Sequence, residues 1–260
     1  MNILISVCES FLTPVKVMLY SLSRHNSGLC IYFFHGSLTL GQLAGLNEFV
    51  EEKCNAKLNV IEASDYFKDI PLSEQYSKPE LYYRLLAPYI LPQELERILY
   101  MDADMIVNAS LSEFYHQSFD GAYAALVSDR FYFCDEVQEQ KKKLGMKAED
   151  IYFNSGLILF NLKLFRDNIS LADIMDFIKE NKEKLFYFDQ DILNCLLLGH
   201  KKLCDEKFNF QAYPFEDLTL EDIENTVVLH YTDRPKPWEP SYRGNLAYPY
   251  FSMAQQAGLC

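Results

Sequence analysis

Ile98-Leu99-Tyr100-Met101-Asp102-Ala103-Asp104-Met105-Ile106-Val107 is the stretch on which the fold of this chain turns. An apolar run leads into two acids one residue apart, and a second apolar run follows. The run 98–101 reads as a buried strand that delivers both carboxylates to the edge of a sheet. Open α/β sheets bind their ligands beyond the carboxyl ends of their strands. Two hard oxygen donors at such an edge suit a divalent cation that also holds substrate phosphates. A strand end with two solvated acids would look the same, so the rest of the chain has to choose between these readings.

Outward from that stretch, strands and helices alternate. Ile3-Leu4-Ile5-Ser6-Val7 reads as a first buried strand, Ile31-Tyr32-Phe33-Phe34 as a second and Leu58-Asn59-Val60-Ile61 as a third. Pro14 suits a first helical turn, and Val15, Met18, Leu19 and Leu22 give a helix over 14–23 one apolar face. Leu43, Leu46, Phe49 and Val50 do the same for a helix over 39–52. A helix over 80–89 carries Arg84. Later strands are expected at 122–128, ending on Asp129, at 157–160 and at 227–230, with helices at 171–181 and 189–198 and a short one within 135–150. Alternation of this kind predicts an α/β fold with a mostly parallel sheet. No repeat, low-complexity tract or linker divides the chain, which reads as one domain, 1–260, with a nucleotide-type first half and a less regular second half.

Composition sets outer bounds. The chain has 260 residues, 49% of them hydrophobic, enough for a sizeable core and too many for wholesale disorder. The formal net charge of -13 argues against general affinity for nucleic acid or anionic lipid. The run Lys141-Lys142-Lys143 reads as a solvated helix face. The seven cysteines are odd in number and never spaced C-x-x-C, which fits reduced, buried thiols rather than a disulfide framework or a zinc site. The N-terminus has no basic region before its first apolar run, no stretch is long enough to span a bilayer, and the tail 253–260 has neither a basic amphipathic face nor a polybasic cluster. These features predict a cytoplasmic protein with no stable membrane anchor.

The familiar phosphate loops are missing: neither G-x-G-x-x-G nor G-x-x-x-x-G-K-[ST] occurs. Phosphate binding would then fall to a metal, which adds weight to Asp102 and Asp104. His230 ends a strand, and an imidazole with two carboxylates is an acceptable set for Mn²⁺. A strand-end His bonded to a backbone carbonyl is the alternative. Lys236 lies between prolines in Arg234-Pro235-Lys236-Pro237-Trp238, held for a phosphate or simply at the surface. Trp238 reads more readily as a packing anchor than as a sugar platform. Asn154-Ser155-Gly156, ahead of a strand, could bond sugar hydroxyls or merely form a turn. Asp189-Gln190-Asp191 opens a helix, with Asp189 as an N-cap and Asp191 at the positive end of the dipole, or else as substrate-facing groups.

In this order and spacing, the segments Ile98 to Asp104, Tyr152-Phe153-Asn154-Ser155-Gly156, Asp189-Gln190-Asp191-Ile192-Leu193-Asn194, His230-Tyr231 and Lys236-Pro237-Trp238 resemble the retaining glycosyltransferases of family 8. That family includes bacterial α-galactosyl- and α-glucosyltransferases and, more distantly, glycogenin. The resemblance implies a GT-A type fold, with 1–107 mainly binding nucleotide-sugar and 108–260 mainly binding acceptor and carrying catalysis. It implies UDP-galactose or UDP-glucose as donor, a carbohydrate acceptor, and Mn²⁺ (or Mg²⁺) on Asp102, Asp104 and His230. Donor contacts are then expected from Ser6, Phe11, Arg84, Ala103, Asn154, Ser155, Gly156 and Lys236, with Phe11 against the uracil and Lys236 on the diphosphate. The reaction centre would use Asp189, Gln190, Asp191 and Asp129.

The chain departs from the family pattern at three positions. Cys8 and Ser10 stand where relatives often read the uracil edge with Asp and Asn. Asp233 stands where a Gly commonly approaches the diphosphate. Retention by double displacement needs a carboxylate on the far face of the sugar. The matched residue there is an amide, Gln190, which favours front-face substitution with Gln190 stabilising positive charge and leaves Asp191 or Asp129 as alternative nucleophiles. A polysaccharide or lipopolysaccharide type of glycan is the expected product. The acceptor would be gripped by loops over 131–150 and 208–222. The rival readings are a non-catalytic nucleotide-sugar binder and a phosphohydrolase with Asp102 as nucleophile.

Overall fold

The computed structural model describes residues 1–67, 79–214, 216 and 218–260, the side chain of Leu220 excepted. In chain order the strands are β1 (Asn2–Ser6), β2 (Cys30–His35), β3 (Lys57–Glu62), β4 (Arg97–Met101), β5 (Met105–Val107), β6 (Ala124–Ser128), β7 (Phe153–Asn161), β8 (Lys201–Leu203), β9 (Phe210–Ala212) and β10 (Val228–Tyr231). The helices are α1 (Leu12–His25), α2 (Leu40–Cys54), α3 (Ala87–Ile90), α4 (Ser112–His116), α5 (Asp135–Lys143), α6 (Leu162–Asn168), α7 (Leu171–Asn181), α8 (Asp189–Leu196), α9 (Leu220–Glu224) and α10 (Ala247–Ala257).

Seven strands form one sheet in the order β3-β2-β1-β4-β7-β6-β8, and β5-β10-β9 form a second. In the large sheet β3, β2, β1 and β4 run parallel, and so do β6 and β8. β7 alone is reversed, antiparallel to both β4 and β6. Period-two alternation explains how this sheet is covered on both faces. Ile3, Ile5, Leu99, Met101, Leu157 and Leu159 join the core under α1 and α2. Leu4, Ile98, Tyr100, Ile158 and Phe160 point the other way, into the core built with α6, α7 and α8.

The reversal of β7 positions the site. β4 and β6 point their carboxyl ends to one edge, and β7 begins at that edge. The ends of β4 and β6 and the start of β7 therefore meet there, which brings together the residues at 102, 129 and 154–156.

The structure corrects several expectations. Asn154, Ser155 and Gly156 lie inside β7, because its pairing with β6 extends back to Phe153↔Ser128. The segment carrying Arg84 is a 3-10 helix, Pro79–Leu86, followed by the single α-turn of α3, with Pro88 near its start. Lys141 is buried, not solvated: its ammonium turns back onto the Ala148 carbonyl at 2.7 Å, while Lys142 and Lys143 stay exposed. The cysteines are unpaired as expected, but only Cys54 is buried and Cys260 is exposed. The N-cap of α8 is Phe188, at φ +53°, which leaves Asp189 within the first turn. The elements β8, β9, α4, α6, α9 and α10 were not anticipated. α10 packs on α1 and buries Tyr250, Ala254 and Ala257.

Candidate active site

The two acids sit where the chain crosses from one sheet to the other. β4 ends at Met101 and β5 begins at Met105, so Asp102-Ala103-Asp104 is the link between the sheets. Each sheet fastens it. The Asp102 amide donates to the Gly156 carbonyl of β7 at 2.9 Å, and the Asp104 carbonyl accepts from the Tyr231 amide of β10 at 2.9 Å. These two bonds fix which strands supply the neighbouring side chains.

Each carboxylate then divides its two oxygens. Asp102 Oδ1 accepts from Arg84 Nη2 at 2.9 Å and from the Tyr100 hydroxyl, and Oδ2 lies 3.9 Å from His230 Nε2. Asp104 Oδ2 pairs with the Lys236 ammonium at 2.7 Å, and Oδ1 lies 3.3 Å from His230 Nε2. Oδ1 of Asp104 is buried with no hydrogen-bond partner. One oxygen of each acid is thus bound to a protein cation, and the other faces a shared point with the imidazole. Such ligand atoms of Asp102, Asp104 and His230 all lie within 4.8 Å of one another. Burial opposes ionisation of Asp104, but the Lys236 ammonium and His230 outweigh it and hold its carboxyl well below the usual range.

Gly156 leaves room for this arrangement. A Cβ there would come within 2.3 Å of His230 Cε1 and 2.8 Å of Asp102 Oδ2. Two carboxylate oxygens, an imidazole nitrogen, an orphaned buried oxygen and a gap only glycine provides together fit a hard divalent cation.

Arg84 ties the rest of the edge together. It is buried, donates from Nη1 to the Ser155 carbonyl at 2.8 Å, and lies 4.0 Å over the Tyr100 ring. Its Nε is 3.2 Å from Asp189 Oδ2. Burial pushes the Asp189 carboxyl up to about 6, with the Arg84 charge opposing and Asp102 adding to the rise. Ser6 spends its hydroxyl on the Glu80 carbonyl at 2.6 Å, fastening β1 to the segment that carries Arg84. A pocket at this edge is lined by Ser6, Cys8, Phe11, Arg84, Asp102, Ala103 and Asp104, among others. The Cys8 thiol, which lines it, and the Ser10 hydroxyl contact each other at 3.2 Å. Trp238 packs edge-on against Phe11 and tilted against Tyr250, so it serves as the packing anchor expected.

Gln190 stands between this edge and a second cleft, of about 610 Å³. Its Oε1 accepts from the Ser155 amide at 3.0 Å and from Asn154 Nδ2 at 3.3 Å, and its Nε2 donates to Asp129 Oδ2 at 3.4 Å. Burial raises the Asp129 carboxyl above its ordinary range, against hydrogen bonds from the Phe131 amide and Gln190. Phe131, Phe186, Tyr187 and Tyr213 line the cleft with Glu136 and Asp233. The expected acceptor loops contribute Phe131, Cys134, Glu136, Val137 and Tyr213 to this lining, and Phe215 and Asp217 lie outside the described residues. Asp233 is exposed, and its carboxylate accepts from the adjacent Arg234 amide at 2.7 Å.

Two candidate roles meet a physical obstacle. Asp191 is fully buried and its carboxylate is saturated: it accepts from the Tyr152 hydroxyl at 2.5 Å, Gln140 Nε2 at 2.8 Å, and the Phe186 and Tyr187 amides at 2.7 and 2.9 Å. Held by four donors and shut off from solvent, it has no open path to a sugar. Asp102, the phosphohydrolase nucleophile of the rival reading, has Oδ1 bound by Arg84 and Tyr100 and could act only through Oδ2.

The other candidates are brought together at one edge. Four polar residues there have bonding roles that the sequence did not reveal. Tyr100 hid inside an apolar run. Tyr152 bonds Asp191 from the residue before β7. Asn194 clamps both the amide and the carbonyl of Phe153, at 2.9 Å each, and so pins α8 to the start of β7. Asn209 bonds His230 Nδ1 at 2.9 Å. Tyr152 and Asn194 lie within the segments that carry the family resemblance, which was the signal available for them, and there was none for Asn209.

Comparison with known proteins agrees with this geometry. The profile of Glycosyl transferase family 8 matches residues 2–241. A lipopolysaccharide 1,2-glucosyltransferase of Escherichia coli is 32% identical over 195 residues, 70% of this chain and 56% of the relative. A lipopolysaccharide 1,3-galactosyltransferase of Salmonella typhimurium is 28% identical over 200 residues, 72% of this chain and 57% of the relative. The chain thus spans little more than half the length of these relatives. The galactosyltransferase LgtC, crystallised in complex with donor and acceptor sugar analogs, superposes with a TM-score of 0.83 at 22% identity, over 98% of this chain and 96% of its own. That likeness bears out the expected GT-A fold. Matched by the family profile over nearly its whole length, the chain belongs to Glycosyl transferase family 8.

Proposed function

We propose that this protein is a retaining hexosyltransferase that moves galactose or glucose from a UDP-sugar to a carbohydrate acceptor, in the synthesis of a lipopolysaccharide-type or other cell-surface glycan. The observation that carries the reading is the divided pair of carboxylates. Asp102 and Asp104 each give one oxygen to a protein cation and turn the other toward His230 Nε2. These three residues would hold Mn²⁺, or Mg²⁺ in its place. A cation bound there supplies Lewis-acid neutralisation of charge on the departing diphosphate.

The chain's own residues do the rest. Lys236 and Arg84 place two further positive charges at the same edge, where the leaving group gains negative charge. Phe11 offers a ring for the uracil, with Cys8 and Ser10 at its edge. Ser6 and Ala103 shape the donor pocket, and Asn154, Ser155, Gly156 and Asp189 surround the donor sugar. Gln190 stands at the reaction centre, and its amide favours front-face substitution over a covalent intermediate. Asp129, whose charged form burial disfavours, lies beyond it toward the acceptor cleft, where aromatic rings suit sugar faces. Asp191 we assign to holding the 186–187 turn rather than to chemistry. The division at residue 107 is functional, not architectural, since β4 and β7 pair across it.

Among the described residues no helix is long and apolar enough to cross a membrane. The net charge of -13 and the unpaired cysteines support a cytoplasmic site of action. With Lys141 buried, the lysine run offers an anionic surface only two ammonium groups.

The test is UDP binding by calorimetry with Mn²⁺ and with EDTA, followed by turnover of UDP-galactose and UDP-glucose with glycan acceptors. UDP should bind at least tenfold more tightly with Mn²⁺, and the product should carry an α linkage by NMR. Gln190→Ala should keep Mn²⁺–UDP affinity within about threefold and lower kcat by about 10²-fold. Asp104→Asn should weaken both. A β linkage, or equal affinity with EDTA, would overturn the reading; phosphate release without transfer would favour the phosphohydrolase.

A further inference from the structure

Asn209 is 1% exposed and ends the 3-10 turn Glu206–Asn209 ahead of β9. It joins His230 of β10 to the amides of Asn154 and Gln190. His230 Nδ1 lies 2.9 Å from Asn209 Oδ1, and Asn209 Nδ2 donates to Asn154 Oδ1 at 2.9 Å. Asn154 Nδ2 donates to Gln190 Oε1, and Gln190 Nε2 to Asp129 Oδ2.

The direction of this chain is set by backbone groups that can only donate. The Gly156 amide donates to Asn154 Oδ1 at 3.0 Å, and the Ser155 amide donates to Gln190 Oε1 at 3.0 Å. Both of those side-chain atoms must therefore be oxygens. Asn209 must then present its NH₂ to Asn154 and its carbonyl oxygen to His230. A carbonyl oxygen accepts and cannot donate, so His230 must carry its proton on Nδ1. In the neutral ring the Nε2 lone pair then faces Asp102 and Asp104.

We propose that Asn209 is a positioning residue that transmits the orientation of the Asn154 and Gln190 amides to His230, locking the imidazole in its Nδ1–H tautomer before any cation arrives. The proposal rests on the reading of Asp102, Asp104 and His230 as a cation site. The neighbour of a metal-bound imidazole commonly fixes its tautomer and orientation, and losing that neighbour costs 10–100-fold in affinity or activity. Here the neighbour is itself fixed by the reaction-centre amides, so one residue serves both ends.

Two variants separate the two ends. Asn209→Leu removes both bonds. Asn209→Asp keeps an acceptor for Nδ1–H but sets a carboxylate oxygen against Asn154 Oδ1, which cannot turn without losing the Gly156 amide. The imidazole tautomer is read in metal-free protein by long-range ¹H–¹⁵N NMR, the His230 signal being identified by its loss in His230→Gln. Mn²⁺ affinity in the presence of UDP is read from the electron paramagnetic resonance of free Mn²⁺. The wild type should show Nδ1–H. Asn209→Leu should show mixed tautomers and bind Mn²⁺ about 10–100-fold more weakly. Asn209→Asp should retain Nδ1–H and Mn²⁺ affinity within about threefold while kcat falls tenfold or more.

An Nε2–H tautomer in the wild type overturns the proposal. So does a folded Asn209→Leu protein with unchanged tautomer and Mn²⁺ affinity. Should Asn209→Leu fail to fold, the wild-type tautomer and the split between affinity and kcat in Asn209→Asp still decide. A wild type that shows Nδ1–H yet binds no Mn²⁺ would sink the functional reading and leave the tautomer assignment standing.

Discussion

Asp104, on the sheet-crossing turn, and three acids after β6 and at the start of α8 are the same side chain treated in opposite ways. Asp104 is held well below the ordinary carboxylate range because Lys236 and His230 outweigh its burial. Asp129, Asp189 and Asp191 are buried too, and all three are pushed upward. Asp191 is raised although four donors meet it, and Asp189 although Arg84 lies beside it. Burial raises an acid, and at Asp104 the charges and hydrogen bonds of Lys236 and His230 reverse the sign. Asp104 is therefore held anionic and open to a cation, while Asp129, Asp189 and Asp191 are acids whose charge is costly.

The strongest way to break the contrast is Gly156→Ala. A methyl 2.3 Å from His230 Cε1 and 2.8 Å from Asp102 Oδ2 must push the ligands apart and leaves the cleft acids untouched. Mn²⁺-dependent UDP binding should fall by about 10²-fold or more by calorimetry, with about 1–3 kcal/mol of stability lost to overpacking. Retention of wild-type Mn²⁺–UDP affinity would mean that the three ligands are not used together.

Asp191→Asn probes the other side. Replacing one acceptor oxygen by NH₂ sets a donor against the donors of Tyr152, Gln140 or the 186–187 amides. Stability should fall by about 2–4 kcal/mol in urea titrations, while Mn²⁺–UDP affinity stays within about twofold. Turnover abolished in a fully folded variant would instead restore Asp191 as a reacting group.

The smallest effect is one of pH. Asp189 has an ordinary value of 3.8 and is pushed up to about 6, so the native state holds its proton more firmly than the unfolded chain. Its contribution to stability is fully present below 3.8 and is lost as pH rises through about 6. Wild type, compared with Asp189→Asn, should lose about 1–2 kcal/mol between pH 4 and pH 7. A difference that stayed constant across that range would show that Arg84 keeps Asp189 ionised throughout.

Local pattern made the turn legible. Two acids between apolar runs report a strand end within ten residues of chain, and the unbroken apolar run Ile98, Leu99, Tyr100 and Met101 already implies a strand covered on both faces. The cleft side was less legible, because acids raised by burial look the same in sequence as acids at the surface. Nothing near Asp191 announces that Tyr152, Gln140 and two backbone amides will converge on it. Lys141 failed for the same reason: its run of charges hides a fold-back onto Ala148 that depends on how α5 ends. Asn209 was invisible because its meaning lies in partners at 154 and 230, which the reversed β7 and the second sheet bring to it.

The turn at 102–104 also bears on how the chain acquires its function during folding. Its two anchoring bonds join residue 102 to 156 and residue 104 to 231, contacts far apart in sequence. Closing such loops is entropically expensive, and contacts of this span form after local ones. A nascent chain can pair β1, β2 and β3 through short crossovers and still hold no ligand geometry at all. The site is therefore a late product of folding, assembled only when β7 has reversed onto β4 and β10 has docked on β5. A cation–nucleotide pair that binds only this completed state stabilises it by mass action, by RT ln(1 + [L]/Kd), and so favours the last docking step over its reversal.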